Sequence, residues 1–130
     1  MRLGLVILGL FHLVNGVFML AAPDQWYAMV PGVVQSGPMN HHFIADIGWA
    51  FFAGGAGMLF AARAGAIAAA FALAGATWPA LHALVHVWEW IEHGIPSDPK
   101  RIFSDAVGVS RRMWFGVGLA WLNAKKEGAA

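Results

Sequence analysis

Apolar residues in this chain come in four long blocks separated by short polar breaks. The blocks cover residues 3–22, 43–62, 64–91 and 102–124. Each is near or above the ~20 residues that a helix needs to cross a bilayer. A helix satisfies its own backbone hydrogen bonds within one segment, so spans of this kind are helical. The pattern predicts an all-α integral membrane four-helix bundle, one transmembrane domain over 1–130, with a long outer loop between helices 1 and 2. That loop, 23–40, carries Pro23, Pro31, Gly32, Gly37 and Pro38 and opens with Asp24, Gln25, Trp26 and Tyr27. It reads as an interfacial loop with one short helical turn. Arg63 and Gly65 predict a tight hairpin between spans two and three, and Gly94, Pro96 and Pro99 break the chain before span four. Arg2, the first apolar run and Ala21-Ala22-Pro23 imitate a secretory signal. The run of about 20 residues fits a retained span better than a signal core.

Composition supports lipid as the solvent. The chain has 130 residues, of which 59% are hydrophobic and 12% charged, against about 25% charged in soluble domains. A core this small cannot absorb so much apolar surface. A net charge of +1 gives no basic face for nucleic acid. The absence of cysteine removes disulfides, thiolate metal sites and thiol exchange. With both termini in the cytoplasm, that side carries Arg2, Arg63, Lys125 and Lys126, against Lys100 and Arg101 on the other. This bias predicts a multi-pass protein of a bacterial inner membrane with its two longer loops outside.

The polar residues inside the spans are not scattered. His82, His86, Glu89 and His93 follow one another at steps of four, three and four, which is one stripe of span three. His41 and His42 open span two, and Asp46 shares a helical face with His42. Spans two and three are antiparallel neighbours, so His42, Asp46, His82 and His86 are expected in one outer-leaflet layer. Imidazole and carboxylate donors in that number suit copper, zinc or non-haem iron. His41, Glu89 and His93 are then alternative or outer ligands. Haem is disfavoured, because histidines four apart on one helix cannot face opposite sides of a porphyrin. The plainer alternatives are a metal-free polar cluster and simple interhelical hydrogen bonding.

Arg111 and Arg112 interrupt span four. Either they mark an interface, or one enters the bundle as a charge partner for Asp46 or Glu89 or as an anchor for an anionic ligand. Trp49, Trp78 and Trp114 fall one turn deeper than the polar groups and predict an aromatic floor, with ordinary packing as the alternative. His12 and Asn15 lie near the middle of span one, where a hydrogen bond across helices is expected.

In size, in four spans, in the first-helix stretch Gly4-Leu5-Val6-Ile7-Leu8-Gly9 and in the Pro23/Trp26 loop, the chain resembles the DoxX-like group of small bacterial four-helix membrane proteins. The resemblance covers the architecture of most of the chain. It implies quinone-linked or thiol redox chemistry, of which the thiol branch does not fit a chain without cysteine. The stretch Gly37-Pro38-Met39-Asn40-His41-His42-Phe43-Ile44-Ala45-Asp46 looks like a motif but attaches to no activity, and no functional residue is carried over. The function expected first is an outer-leaflet transition-metal site for metal binding or redox chemistry; the alternatives are a non-catalytic accessory subunit or assembly factor of a larger membrane complex, and a quinone- or lipid-binding protein. The partners expected are the lipid bilayer and a larger membrane complex or a homo-oligomer. No HExxH, P-loop or dinucleotide fingerprint points to a particular enzyme.

Overall fold

The first apolar block has no proline and no charge after Arg2 until the chain reaches Pro23, and it forms one uninterrupted helix, α1 (Arg2–Ala21). Pro23 cannot continue that helix but suits the first turn of a new one. It opens α2 (Pro23–Met29), and a turn through Gly32, at φ +89°, leads to α3 (Val33–Ser36). The segment expected as a loop with one helical turn thus contains two short helices. Asn40 caps α4 (His41–Ala61) by accepting the Phe43 amide at 3.1 Å. α5 (Ala68–His93) carries Pro79 within it. Asp98 caps α6 (Pro99–Phe103), and residues 104–106 widen into a π-type turn. This computed structural model describes residues 2–63, 67–106, 117–118, 121–122 and 125–126. Among the described residues the chain is all-helical, and α1, α4 and α5 are long and apolar enough to cross a membrane. Gly65 and most of the expected fourth span lie outside the described residues.

The three long helices form a layer with α4 in the middle. α1 and α4 run antiparallel through two glycine pairs, Gly9 against Gly55 and Gly16 against Gly48. Both members of each helix are seven residues apart, two turns, so they stand on one stripe. A Cβ on Gly16 would lie 2.6 Å from the Gly48 carbonyl oxygen and 2.7 Å from the Phe52 nitrogen. A Cβ on Gly55 would lie 2.6 Å from the Leu13 nitrogen. α4 and α5 meet in the same way through Gly54 and Gly75. Pro79 has a part in that contact. It has no N–H to give the carbonyl of Gly75, four residues back, and that oxygen sits 2.9 Å from where a Gly54 Cβ would be. The freed carbonyl is thus turned to the Cα–H face of the facing helix.

Two apolar clusters fill the layer. At the end near Arg63, called here the hairpin end, Leu5, Leu8, Met58, Ala61, Ala72 and Ala76 pack together, with Val117 against them. At the opposite, loop end, Met19, Ile44, Phe51 and Ala83 form the second cluster, covered by Trp26, Tyr27 and Met39. Three polar contacts strap α2 and the following loop down. Trp26 Nε1 donates to Asn15 Oδ1 at 3.1 Å, Tyr27 donates its hydroxyl to the Gly37 carbonyl at 2.7 Å, and Asp24 pairs with His41 at 3.3 Å. Asn15 thus bonds across elements as its place in the sequence suggests. His12 is fully buried, donates from Nδ1 to the Leu8 carbonyl at 2.7 Å and stacks on Phe51.

Gly16→Ala and Gly55→Ala are expected to destabilise the bundle by about 1–3 kcal/mol each, because the added methyl meets backbone rather than a movable side chain. Gly118→Ala, where nothing among the described residues lies within 4 Å, is expected to be neutral. Unfolding of the three variants in detergent, followed by circular dichroism, measures the difference.

Candidate polar site on the flank of α5

Burial along α4 sorts its faces. Ile44, Gly48, Phe51, Gly55 and Met58 are buried, and at about 100° per residue they fall on one stripe. His42 and Asp46 do share a face, as their spacing predicts, and pair at 3.4 Å. That face is opposite the buried stripe, and the two side chains are 90% and 63% exposed. His41 turns to Asp24 of α2, and His93 approaches Glu92 at 4.0 Å, both on the surface. The expected four-residue layer of His42, Asp46, His82 and His86 therefore divides in two. His42 pairs with Asp46 at one place and His82 meets His86 at the other. Among the described residues, no group of three or more His, Asp or Glu side chains is arranged to hold a metal ion.

The α5 half of the set does assemble. His82 and His86 lie on the edge of the buried face, and their rings meet edge to face at 5.1 Å between centroids. The His82 ring stacks flat on Trp78, 5.1 Å away and tilted by 8°, and Phe51 approaches its edge at 6.0 Å. Trp78, one turn from His82, is the tryptophan of the expected floor that touches it. Trp49 does not join it, being 60% exposed on the same outer side of α4 as Asp46. Trp114, Arg111 and Arg112 lie outside the described residues.

Toward the loop end the chemistry becomes ionic. His86 Nδ1 is 3.5 Å from Asp105 and 3.7 Å from Glu89. Arg101 is 3.7 Å from Glu89 and 3.8 Å from Asp105. The four side chains close a ring of alternating sign: His86, Glu89, Arg101, Asp105. Trp90 Nε1 donates to Asp105 at 3.2 Å, and the Asp105 side chain is only 6% exposed. Arg101 reaches the ring from α6 with its stem along Gly32, where a Cβ would come within 3.2 Å of Arg101 Cγ. Two carboxylates face one guanidinium, so the ring is one positive charge short when His86 is neutral.

Asp105 and Arg101 are the members that the spacing argument passed over. The signal was present, since Asp105 is the one acidic residue in the apolar block 102–124, and an acid there needs a partner. Arg101, four residues earlier, supplies one.

Toward the hairpin end, on the stripe of α5 that continues from His82 through Trp78, Gly75 and Phe71, an open apolar cleft of about 610 Å³ runs between α4 and α5. Ala53, Gly54, Gly57, Ala74 and Gly75 give it its depth. The Phe60–Phe71 ring pair, 4.6 Å apart, stands at its hairpin end and Trp78 at the other. Comparison with protein-family models, curated proteins and solved structures gave no match to this chain.

Asp105→Ala is expected to lower stability by about 1–3 kcal/mol, because it strips Trp90 and Arg101 of a buried acceptor. Asp46→Ala, on the exposed outer face, is expected to leave stability unchanged. Unfolding of both variants under one set of conditions makes the comparison.

Proposed function

We propose that this chain is a four-span membrane protein that binds a neutral amphiphile of the quinone or lipid kind, with its polar head at His82 and its tail in the α4–α5 cleft. The observation that carries this reading is the place of Trp78, which lines the cleft and stacks on His82. Apolar walls with one or two polar groups at an end are the usual make-up of a small-molecule site. An imidazole can donate to a carbonyl or accept from a hydroxyl, so it suits a head of either type.

Depth favours a neutral head. Phe51 stands ten residues from each end of α4, about 15 Å at 1.5 Å per residue. Its ring touches Trp78 and His82, so that level is close to the middle of a ~30 Å hydrocarbon layer. On the cleft side of that level, where the walls are apolar, a phosphate or ammonium head is costly. A quinone ring, a fatty alcohol or a comparable uncharged head is not.

The fourth span is part of the proposal. Asp105 meets His86 and Trp90 near the loop end, and Val117 packs on Leu5, Leu8, Met58, Ala72 and Ala76 near the hairpin end. The interval of about 12 residues between them corresponds to ~18 Å of helix, and α5 takes a similar length from His86 back to Ala76 or Ala72. Support for the metal reading is weaker, because His42 and Asp46 are exposed and pair with each other, while His86 pairs with Glu89 and Asp105.

Solvent extraction of the purified protein, followed by mass spectrometry, is expected to yield about one neutral amphiphile per chain. His82→Ala and the cleft-filling pair Ala53→Leu/Ala74→Leu should each abolish it. Equal extracts from all three proteins would sink the proposal. So would stoichiometric copper, zinc or iron that disappears in His82→Ala/His86→Ala, which would restore the metal site.

A further inference from the structure

We infer that water reaches the level of the bilayer midplane from the loop end alone, along the flank of α5 that carries Glu89, His86 and His82. This inlet does not depend on the amphiphile proposed above.

Three observations converge on it. The first is the length of the contacts in the ionic ring. All four fall between 3.5 and 3.8 Å, longer than the ~2.7–3.2 Å of a direct hydrogen bond. Contacts at that separation leave the four groups with hydrogen-bonding capacity for water. The second is His86 Nδ1. The atom is buried and has no hydrogen-bond partner among the described residues, although two carboxylates stand close to it. A buried polar atom of this kind is ordinarily satisfied by water. The third is the position of His82 about halfway through the layer, next to His86. Ionisable side chains at such depth are found facing a bundle interior or a water-filled cavity.

The path has a mouth and an end. Arg101 and Glu89, both partly exposed, stand at the loop side. Beyond His82 come Phe51 and Trp78, then the cluster of Leu5, Leu8, Met58, Ala72 and Ala76, which offers water no side-chain partner. The inlet is thus a half-channel. Among the described residues its two carboxylates outnumber its one guanidinium, which favours cations over anions.

The chain has no cysteine of its own, so single introduced thiols report on access. In proteoliposomes, His82→Cys should react with a membrane-impermeant trimethylammonium thiosulfonate added on the loop side. Leu81→Cys is the control, at the same depth but exposed to lipid. It should react roughly 100-fold more slowly, because a thiol in hydrocarbon does not ionise. The sulfonate analogue should modify His82→Cys about tenfold more slowly than the cation. Reagent added on the hairpin side should modify neither. Hydroxyl-radical footprinting of the unsubstituted protein gives a second readout, with His82 oxidised and Trp49 protected. If His82→Cys is as inert as Leu81→Cys and His82 escapes oxidation, the inlet is overturned. If His82→Cys reacts equally from both sides, one-sided access is overturned.

Discussion

Everything in this bundle depends on how closely three helix backbones approach one another. In lipid the hydrophobic effect does not push helices together, so contact has to come from packing and from interactions between backbones. Here Gly9, Gly16, Gly48 and Gly55 let α1 and α4 meet backbone to backbone, and Gly54 and Gly75 do the same for α4 and α5. The register follows from these pairs. Once Gly16 faces Gly48 and Gly54 faces Gly75, Phe51 is bound to fall beside His12 on one side and beside Trp78 and His82 on the other. The polar flank of α5 is therefore placed by glycines that have no polar chemistry of their own.

The same layer puts two environments along one stripe of α5. At the loop end that stripe meets the start of the last apolar block, where Asp105 meets His86, Trp90 and Arg101. Toward the hairpin end it lines the open cleft between α4 and α5. His82 lies where the two meet, next to the ionic ring through His86 and next to the cleft through Trp78. A single residue near the middle of α5 is in this way adjacent to both a charged and an apolar environment.

Much of this was legible in the residue pattern, and the exceptions have physical causes. The three long spans were readable because length and apolar content suffice to identify a helix that can cross a membrane. The stripe of His82, His86 and Glu89 was readable because helical spacing is strict. The layer with His42 and Asp46 was not, because spacing says which residues share a face and not which face turns inward. Ile44, Gly48, Phe51, Gly55 and Met58 held that information, and their stripe runs opposite the His42–Asp46 pair. The helices α2 and α3 were obscured by the prolines and glycines around them, which mark breaks and helix starts alike. Asp105 was hidden for another reason. Its partners Trp90 and His86 lie on a different element, and only the fold brings them near.

The cluster of methyl and methylene groups at the hairpin end also fixes the electrical geometry of the protein. With water standing as far in as His82, the insulating path that remains is Leu5, Leu8, Met58, Ala72 and Ala76, about half the thickness of the bilayer. A transmembrane voltage falls where the medium is least polarisable, so most of it falls across those side chains. A proton or cation entering from the loop side would reach His82 against little opposing field. Taking it further would involve most of the ~2.3 kcal/mol per charge that 100 mV represents. The small apolar residues that look like mere filler are then the dielectric of a capacitor, with the histidine at one plate.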